Sequence, residues 1–358
     1  MHIGLIIYGS LDIISGGYLY DRQLMNYLEK AGHLVEVISL PWREYSLRMS
    51  DNRNGTVFER LIETDFDVLL EDELNHPSLY ALNPRIKTFV NYPIISIVHH
   101  LHISEEHSPE DLNFYRKIEM AYLQSVDGFI FNSQSTKASV GALFEGVTRP
   151  HVVATPAGDR FNGLSEAEIS DRAIQSRELK VVCLGNVIRR KGIHWILEAM
   201  SRVTSYRCRL DIIGNEYVEY EYTLELKKMV EDLDLTGRVR FHGLQSDEEI
   251  ETHLSHSDLL VVPSQYEGFG IVYLEGMAFG LPAIATTSGG ASEIITNRVD
   301  GFLIDPEDVD TLAERLALLA ADRVHLKKMS LAARRRFEAY PTWEDSMASI
   351  ETFLKSLV

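Results

Sequence analysis

Cysteine and long apolar runs are scarce in this sequence. Its two cysteines, Cys183 and Cys208, stand in apolar strand patterns, which excludes a disulfide scaffold and predicts reduced core residues. No apolar run approaches the roughly 18 residues of a membrane-spanning helix, so we expect no transmembrane segment. Residues 1–8 form a strand pattern without the basic region and cleavage site of a signal peptide. The chain is therefore expected to be cytoplasmic.

Positive charge is also in short supply. The chain carries 35 Lys and Arg against 53 Asp and Glu, which gives a formal net charge of −18. Both halves are acidic, with −8 over residues 1–165 and −10 over the remainder. Because binding to nucleic acid needs a basic face, we expect no nucleic-acid partner.

Val-rich and Ile-rich runs alternate with helical patterns from end to end, which is typical of parallel βαβ units. The length of 358 residues favours two domains. A polar stretch near 158–177 separates them, and we predict domains 1–160 and 161–340. Two Rossmann-like, doubly wound domains that face one another would form an interdomain cleft, with ligands bound at the carboxyl ends of the strands. Strands are predicted near 2–8, 34–39, 67–71, 93–98, 127–131, 151–154, 179–184, 208–213, 238–242, 258–262, 282–286 and 301–304.

One junction, within residues 263–293, dominates the second half. An apolar strand at 258–262 runs into a glycine-broken loop, and a helical pattern follows at 271–279. The unpaired amides of a first helical turn favour an anionic ligand, and glycines let the backbone approach it closely. The candidate donor-binding residues of this junction are Glu267, Gly268, Phe269, Gly270, Ile271 and Glu275.

Two carboxylates frame the junction. Glu275 lies in the second turn of the helix and should lean back toward the loop that carries Glu267, because helical side chains tilt toward the N-terminus. Ionised carboxylates accept hydrogen bonds from sugar hydroxyls, while the amides suit a diphosphate, so the pattern favours a sugar nucleotide. The alternative is a pair of solvated surface charges.

Residues 263–293 resemble the Glu-x7-Glu motif of the retaining glycosyltransferases of family four, which have the GT-B architecture. The resemblance implies that residues 1–160 bind the acceptor and that residues 161–340 bind the nucleotide sugar. It also implies a C-terminal crossover helix, about 341–358, that packs back on the first domain.

A basic loop follows the predicted strand near 179–184. Lys191 opens the next helix, so its ammonium and the helix amides can meet a diphosphate. Relatives in the family carry an arginine directly after the preceding glycine, where this chain has Asn186. Arg189 or Arg190 can supply the missing charge from a shifted position, or either can be a solvated surface residue.

Two loops of the first half are further candidates. Gly16 and Gly17 open a helix, which alone favours a tight turn; the resemblance implies a donor-binding loop. The full Gly-x-Gly-x-x-Gly pattern is missing, which argues against a dehydrogenase. His99 is the first residue after the strand near 93–98, and the resemblance implies that it approaches the donor sugar near the anomeric centre. The alternatives are a structural histidine or a metal site formed by His99, His102 and His107, although their spacing matches no strong zinc pattern.

Weaker signals complete the set. Leu244 lies in a segment that resembles the family's base-contacting stretch. Glu293 resembles its third acidic position, or is a carboxylate that stabilises a helix N-terminus. The Asp-x-Asp patterns at 65–67 and 232–234 are interpreted as structural, so no metal is expected.

The resemblance implies a retaining, metal-independent hexosyltransferase of carbohydrate biosynthesis that uses a UDP- or GDP-sugar and needs no cofactor. Its catalytic residues would be His99, Lys191 and Glu267. The acceptor would be a hydroxyl of a small molecule or glycan, and a lipid-linked acceptor remains an option. No residue suggests a covalent nucleophile, and the resemblance implies a same-face substitution. The alternatives are an isomerase similar to sugar-nucleotide 2-epimerases, a glycan phosphorylase and a non-catalytic sugar-nucleotide-binding subunit.

Overall fold

The chain forms two α/β units. The computed structural model describes residues 1–13, 15–105, 107–175 and 178–358. One unit comprises residues 1–156 and 343–358, and the other comprises residues 157–342. Ile14 of the predicted glycine loop, and Ser176 and Arg177 of the predicted polar boundary, lie outside the described residues.

The first unit is built on a six-stranded parallel sheet with the order β2-β1-β3-β4-β5-β6. Its strands are β1 (His2–Tyr8), β2 (Leu34–Leu40), β3 (Val68–Asp72), β4 (Ile94–Val98), β5 (Gly128–Phe131) and β6 (His151–Val153). Its helices up to β6 are α1 (Gly16–Lys30), α2 (Tyr45–Arg48), α3 (Gly55–Glu63), α4 (His76–Leu79), α5 (Leu82–Ile86), α6 (Pro109–Ser125) and α7 (Gln134–Leu143). Every residue of β3, β4 and β5 is buried, and these strands are apolar apart from Ser96 and the buried acidic residues Glu71 and Asp72.

The second unit repeats this design, with the strand order β12-β11-β10-β7-β8-β9. Its strands are β7 (Leu179–Leu184), β8 (Cys208–Ile213), β9 (Val239–Phe241), β10 (Leu259–Val262), β11 (Ala283–Thr286) and β12 (Gly301–Ile304). Its helices are α8 (Glu166–Gln175), α9 (Ile193–Arg202), α10 (Tyr220–Asp232), α11 (Asp247–His256), α12 (Ile271–Ala278), α13 (Ala291–Ile294), α14 (Val309–Ala321) and α15 (Arg323–Glu338). Short 3-10 segments lie at Met49–Arg53, Glu73–Asn75, His102–Ser104 and Arg189–Lys191.

The last helix, α16 (Trp343–Lys355), belongs to the first unit and packs against α1. The indole of Trp343 meets the ring of Tyr20 edge-on, with centroids 5.8 Å apart. Farther along, the carboxylate of Glu351 lies 2.7 Å from Nε2 of His33. A helix distant in the sequence therefore completes the outer layer of the first sheet.

The α/β class and the two parallel sheets predicted from the sequence are confirmed, with a strand at each predicted position. The polar stretch near 158–177, which we predicted as the boundary between the domains, contains the helix α8. Ile169 and Ala173 on α8 are buried, and the guanidinium of Arg172 donates to the carbonyl oxygens of Ser255 and Gly280. The rest of the helix is mostly polar, so its narrow apolar face gives only a weak helical pattern in the sequence.

Both cysteines are buried free thiols in β7 and β8, as predicted. Burial raises the pKa of Cys183 to about 12 and that of Cys208 to about 11, so both stay protonated at neutral pH. Within the described residues, no helix has the length and apolar character that a membrane crossing requires.

Candidate active site

The site in the second unit forms where β7 and β10 end. These strands are neighbours in the sheet, so the loops that follow them meet at its carboxyl edge. The backbone N–H of Gln265 in one loop donates to the carbonyl of Arg190 in the other, at 2.8 Å. This bond places the basic loop beside the Glu-x7-Glu motif.

Lys191 and Glu267 make the central contact. Nζ of Lys191 lies 2.6 Å from Oε2 of Glu267, and their side chains are only 12% and 15% exposed. The same oxygen accepts a hydrogen bond of 3.1 Å from the hydroxyl of Ser264, which is fully buried. The carbonyl of Ser264 in turn accepts from Oγ1 of Thr286 on β11 at 2.6 Å. The carboxylate is thus fixed by two donors, of which Ser264 is itself held by Thr286.

Charge decides the protonation state of Glu267. Burial opposes its ionisation, but the Lys191 ammonium and the Arg190 guanidinium outweigh burial and lower the pKa of the carboxyl to about 2. Glu267 is therefore an anion at neutral pH and can only accept hydrogen bonds. A sugar hydroxyl is the kind of group that it can orient.

The sequence left open whether Arg189 or Arg190 adds positive charge beside Lys191, and the two have different contacts in the structure. Nη1 of Arg190 lies 3.9 Å from Oε2 of Glu267 and donates to the carbonyl of Tyr266. Arg189 is 52% exposed, pairs with Glu225 on α10 and covers the ring of Tyr222. Of the two, Arg190 joins the Lys191–Glu267 group.

Close backbone packing fixes the loop that carries Glu267. A Cβ on Gly289 would lie 2.0 Å from the carbonyl oxygen of Glu267, and Gly289 has a φ of +93°. A Cβ on Gly290 would lie 2.5 Å from the carbonyl oxygen of Gly268, while its backbone N–H donates to the Glu267 carbonyl at 2.8 Å. Only glycine fits at these positions, which explains the Gly-Gly pair after β11.

Gly289→Ala is therefore expected to destabilise the second unit by about 2 kcal/mol or more, since it adds a backbone clash to an unfavourable φ. Gly237→Ala is the matched control, because Gly237 also has a positive φ (+84°) but nothing lies within 4 Å of its missing Cβ. Thermal unfolding of both variants measures the difference. Equal losses of melting temperature would show that Gly289 is not tightly packed.

Glu275 belongs to a different pair from Glu267. It is buried, and Oε1 lies 2.6 Å from Nε of Arg160, although the N–H there is not aligned for a hydrogen bond. Burial raises the pKa of Glu275 in spite of Arg160. The contacts of Glu275 thus run to the segment before α8 rather than to the Lys191–Glu267 group. Nothing in the sequence pointed to Arg160 or to Ser264 as partners of these carboxylates.

The remaining predicted residues of the second unit lie around the same edge of the sheet. Asn186 follows Gly185 directly, and a Cβ on Gly185 would lie 3.3 Å from Cε of Lys191, so this glycine leaves room for the lysine. Leu244 is 53% exposed in the loop after β9. Gly270 caps α12 with a φ of +93°, and Ile271 is the first residue of that helix. Phe269 is buried, and Gly268 lies next to Gly290. Glu293 lies in the first turn of α13.

The candidates of the first unit come together at the start of α1. Gly16 and Gly17 begin the helix, and the hydroxyl of Ser15 caps it by accepting from the N–H of Tyr18. A Cβ on Gly17 would lie 3.2 Å from the imidazole of His99, so the glycine lets the ring approach the backbone.

His99 contacts a buried carboxylate. Its Nε2 lies 3.4 Å from Oδ1 of Asp21, which is fully buried. Burial opposes protonation of the ring, but the contact with Asp21 and the charges of Asp72 and Glu73 outweigh it and raise the pKa of His99. The alternative of a metal site formed by His99, His102 and His107 is not supported, because His99 lies close to Asp21 and Asp72 instead.

The two Asp-x-Asp patterns have structural positions. Asp67 accepts a backbone hydrogen bond of 2.7 Å from His2 at the start of the first sheet. Asp232 is the last residue of α10.

Comparison with solved structures identifies the class of fold. Sucrose-phosphate synthase from Thermosynechococcus elongatus superposes with a TM-score of 0.83, covering 99% of this chain and 98% of that one, at 20% sequence identity. The two parallel sheets therefore form a GT-B glycosyltransferase fold.

Sequence comparison defines the family. A family model described as "Glycosyl transferases group 1" matches residues 165–336. An uncharacterised glycosyltransferase of Methanocaldococcus jannaschii is 30% identical over 343 residues, which is 84% of each chain. The chain belongs to the group 1 glycosyltransferases, as the Glu-x7-Glu resemblance indicated.

A relative with a more specific name covers less of the chain. A GDP-mannose-dependent alpha-(1-6)-phosphatidylinositol monomannoside mannosyltransferase of Mycobacterium tuberculosis is 31% identical over 212 residues, or 55% of this chain. The match spans about half of that protein, 53% of its length.

Proposed function

We propose that this glycosyltransferase is a retaining hexosyltransferase that moves a sugar from a nucleotide-diphosphate sugar to a hydroxyl of its acceptor. The observation that supports this most directly is the fixed Lys191–Glu267 pair, with Arg190 beside it, at the carboxyl edge of β7 and β10. Cations there suit the leaving diphosphate, and the carboxylate suits a sugar hydroxyl. The cytoplasm is the proposed location, since it contains nucleotide sugars.

The reaction breaks the bond between the anomeric carbon and the diphosphate oxygen. Negative charge grows on the leaving oxygen, and the ammonium of Lys191, the guanidinium of Arg190 and the first amides of α9 stabilise it. The acceptor oxygen bonds to the same face of the anomeric carbon, and its proton passes to the leaving phosphate. Glu267 orients the sugar, which lowers the entropic cost of the step.

Three further assignments follow the family resemblance. His99 is proposed to approach the donor sugar near its anomeric centre. Glu275 would be released from Arg160 to contact the donor, and Leu244 would touch the base. Transfer is proposed to be independent of metal, because Lys191 and Arg190 supply the positive charge that a metal ion would otherwise provide.

The first donor to test is GDP-mannose, because the mycobacterial relative is named for its dependence on it. UDP-sugars follow, since nothing in the loop around Leu244 distinguishes the two bases. The acceptor is proposed to be a small molecule or a glycan, with lipid-linked glycans included in the screen.

A thermal-shift screen against UDP-, GDP- and ADP-sugars tests the proposal. A true donor at about 100 times its Kd stabilises the native state by about 2.7 kcal/mol, which raises the melting temperature by about 5 °C. The donor that stabilises is then incubated with candidate acceptors in EDTA, and NMR of the product reads the anomeric configuration. A product with inverted anomeric configuration would contradict the retaining mechanism. Loss of transfer in EDTA would contradict the independence from metal. Stabilisation without transfer to any acceptor would instead indicate a binding subunit.

A further inference from the structure

The segment after β4 is unusually rich in histidine. Residues 99–107 hold four of the chain's 13 histidines, together with two glutamates. Short tracts of this composition are typical of metal-binding segments. The group 1 family membership does not explain them, because the proposed transfer uses only His99 of this tract.

Three side chains of this segment converge. One ligand atom from each of His102, Glu105 and His107 lies within 4.8 Å of the other two. Nδ1 of His102 is 3.3 Å from Oε2 of Glu105. Ligand atoms that surround a zinc ion tetrahedrally, each about 2.0 Å from it, are about 3.3 Å from one another. The distances from His107 to His102 and to Glu105 therefore need to shorten by about 1.5 Å at most.

The hydrogen bonding of His107 leaves a nitrogen ready to bind an ion. Its Nε2 lies 2.8 Å from the carbonyl oxygen of His102, which can only accept, so Nε2 carries the proton. In the neutral tautomer of this ring, Nδ1 is the nitrogen that carries no proton. Histidines that ligate metals generally donate their other N–H to a carbonyl or carboxylate in this way.

The surroundings hold the other two groups in place. Nε2 of His100 lies 3.0 Å from Oε1 of Glu105, so Oε2 is the oxygen that faces His102. The carboxylate of Glu119 accepts the backbone N–H of His102 at 2.6 Å, which anchors the segment to α6.

Two other groups of this kind occur among the described residues, and neither suits an ion as well. One comprises Asp21, Asp72 and His99 and belongs to the candidate active site. The other, around His76, is fully buried, and both ring nitrogens of His76 have partners, the Glu73 carbonyl and the Tyr45 hydroxyl. The side chains of His102 and Glu105 are 27% and 34% exposed, so an ion can reach them from water.

We propose that His102, Glu105 and His107 form a Zn²⁺ site, with water as the fourth ligand and His100 supporting Glu105. Two imidazoles and one carboxylate form a ligand set that suits zinc rather than magnesium or calcium. The site lies in the segment that begins with His99, and it is separate from the proposed chemistry of transfer.

Isothermal titration of the tag-free full chain with ZnCl2, after dialysis against a chelator, tests the site. One zinc ion per chain is expected to bind, and substitution with Co²⁺ should give the visible absorption of tetrahedral cobalt. Removing a group that only supports a metal ligand weakens metal binding by about 10- to 100-fold. His102→Ala/His107→Ala removes two of the ligands themselves, so it should weaken zinc binding by at least about 100-fold. Glu105→Gln, which changes no side-chain volume, should weaken it by at least about 10-fold.

His253→Ala/His256→Ala is the matched control, since it removes two histidines of α11 in the other unit and should leave zinc affinity unchanged. Zinc affinity that is equal in the wild type and in His102→Ala/His107→Ala would overturn the proposal, as would the absence of binding by the wild type. Circular dichroism checks the fold of the double variant, and Glu105→Gln decides the question if that variant unfolds. No sugar nucleotide is present, so the result is independent of the proposed transfer reaction.

Discussion

Lys191→Met is expected to lower the turnover of sugar transfer by about 100- to 1,000-fold, since it removes a fixed donor to the leaving diphosphate. Binding of the free nucleoside diphosphate should weaken as well, because the same ammonium contacts product and transition state. The substitution also leaves Glu267 buried beside Ser264 and Arg190 alone, so its pKa should rise. Breaking this largely buried ion pair should cost about 3–5 kcal/mol of stability. Steady-state kinetics below the melting temperature measures the first effect.

Lys87→Met is the matched control for Lys191→Met. Lys87 also forms an ion pair of 2.6 Å, with Asp127, but at the amino edge of the first sheet, where Asp127 directly precedes β5. Its substitution should leave turnover unchanged. Wild-type turnover in Lys191→Met, with an intact fold, would refute the assignment of Lys191 to the diphosphate.

Glu267→Gln should separate sugar positioning from diphosphate binding. The amide keeps the size of the side chain but removes the anion that orients the sugar, and a small misplacement of the reacting sugar costs about 100-fold in rate. The free nucleoside diphosphate should bind as tightly as before or more tightly, because a buried negative charge near it is gone. Both quantities are measured on one preparation: turnover tests the positioning of the sugar, and the Kd for the nucleoside diphosphate tests diphosphate binding.

The contrast with Lys191→Met is the decisive comparison. The lysine variant should lose both turnover and diphosphate affinity, whereas the glutamine variant should lose turnover alone. Asp127→Asn, at the partner of Lys87, is the control for loss of a paired carboxylate. Equal losses of diphosphate affinity in both site variants would mean that Glu267 acts only by holding Lys191 in place.

The sheets were predictable because burial on both faces makes the central strands, such as β4 and β10, apolar runs. Helices of the second unit that bury little apolar surface were harder to predict from the sequence. Helix α8 buries Ile169 and Ala173 between charged residues, and its polar composition resembled a linker. Helix α15 is equally hard to recognise, since its sequence is rich in Lys and Arg and only a few of its residues, such as Leu326 and Met329, are buried.

The site was predictable as far as local sequence determines it. Lys191 and Glu267 each follow a strand and precede a helix, and β7 and β10 are neighbours, so their loops meet. The partners of the carboxylates were not predictable, because Arg160 reaches Glu275 through packing of distant segments. The choice between Arg189 and Arg190 depended on Glu225 of α10, which draws Arg189 to itself.

Helix α16 carries a consequence for how the chain is made. Its contacts with α1, from Trp343 to Glu351, complete the first unit, yet a ribosome translates them only after the whole second unit. Domains generally fold as units in the order of synthesis, but here the amino-terminal one must wait. Until α16 has been synthesised, the α1 surface around Tyr20 and His33 therefore lacks its partner helix, while the later-made half is already able to fold.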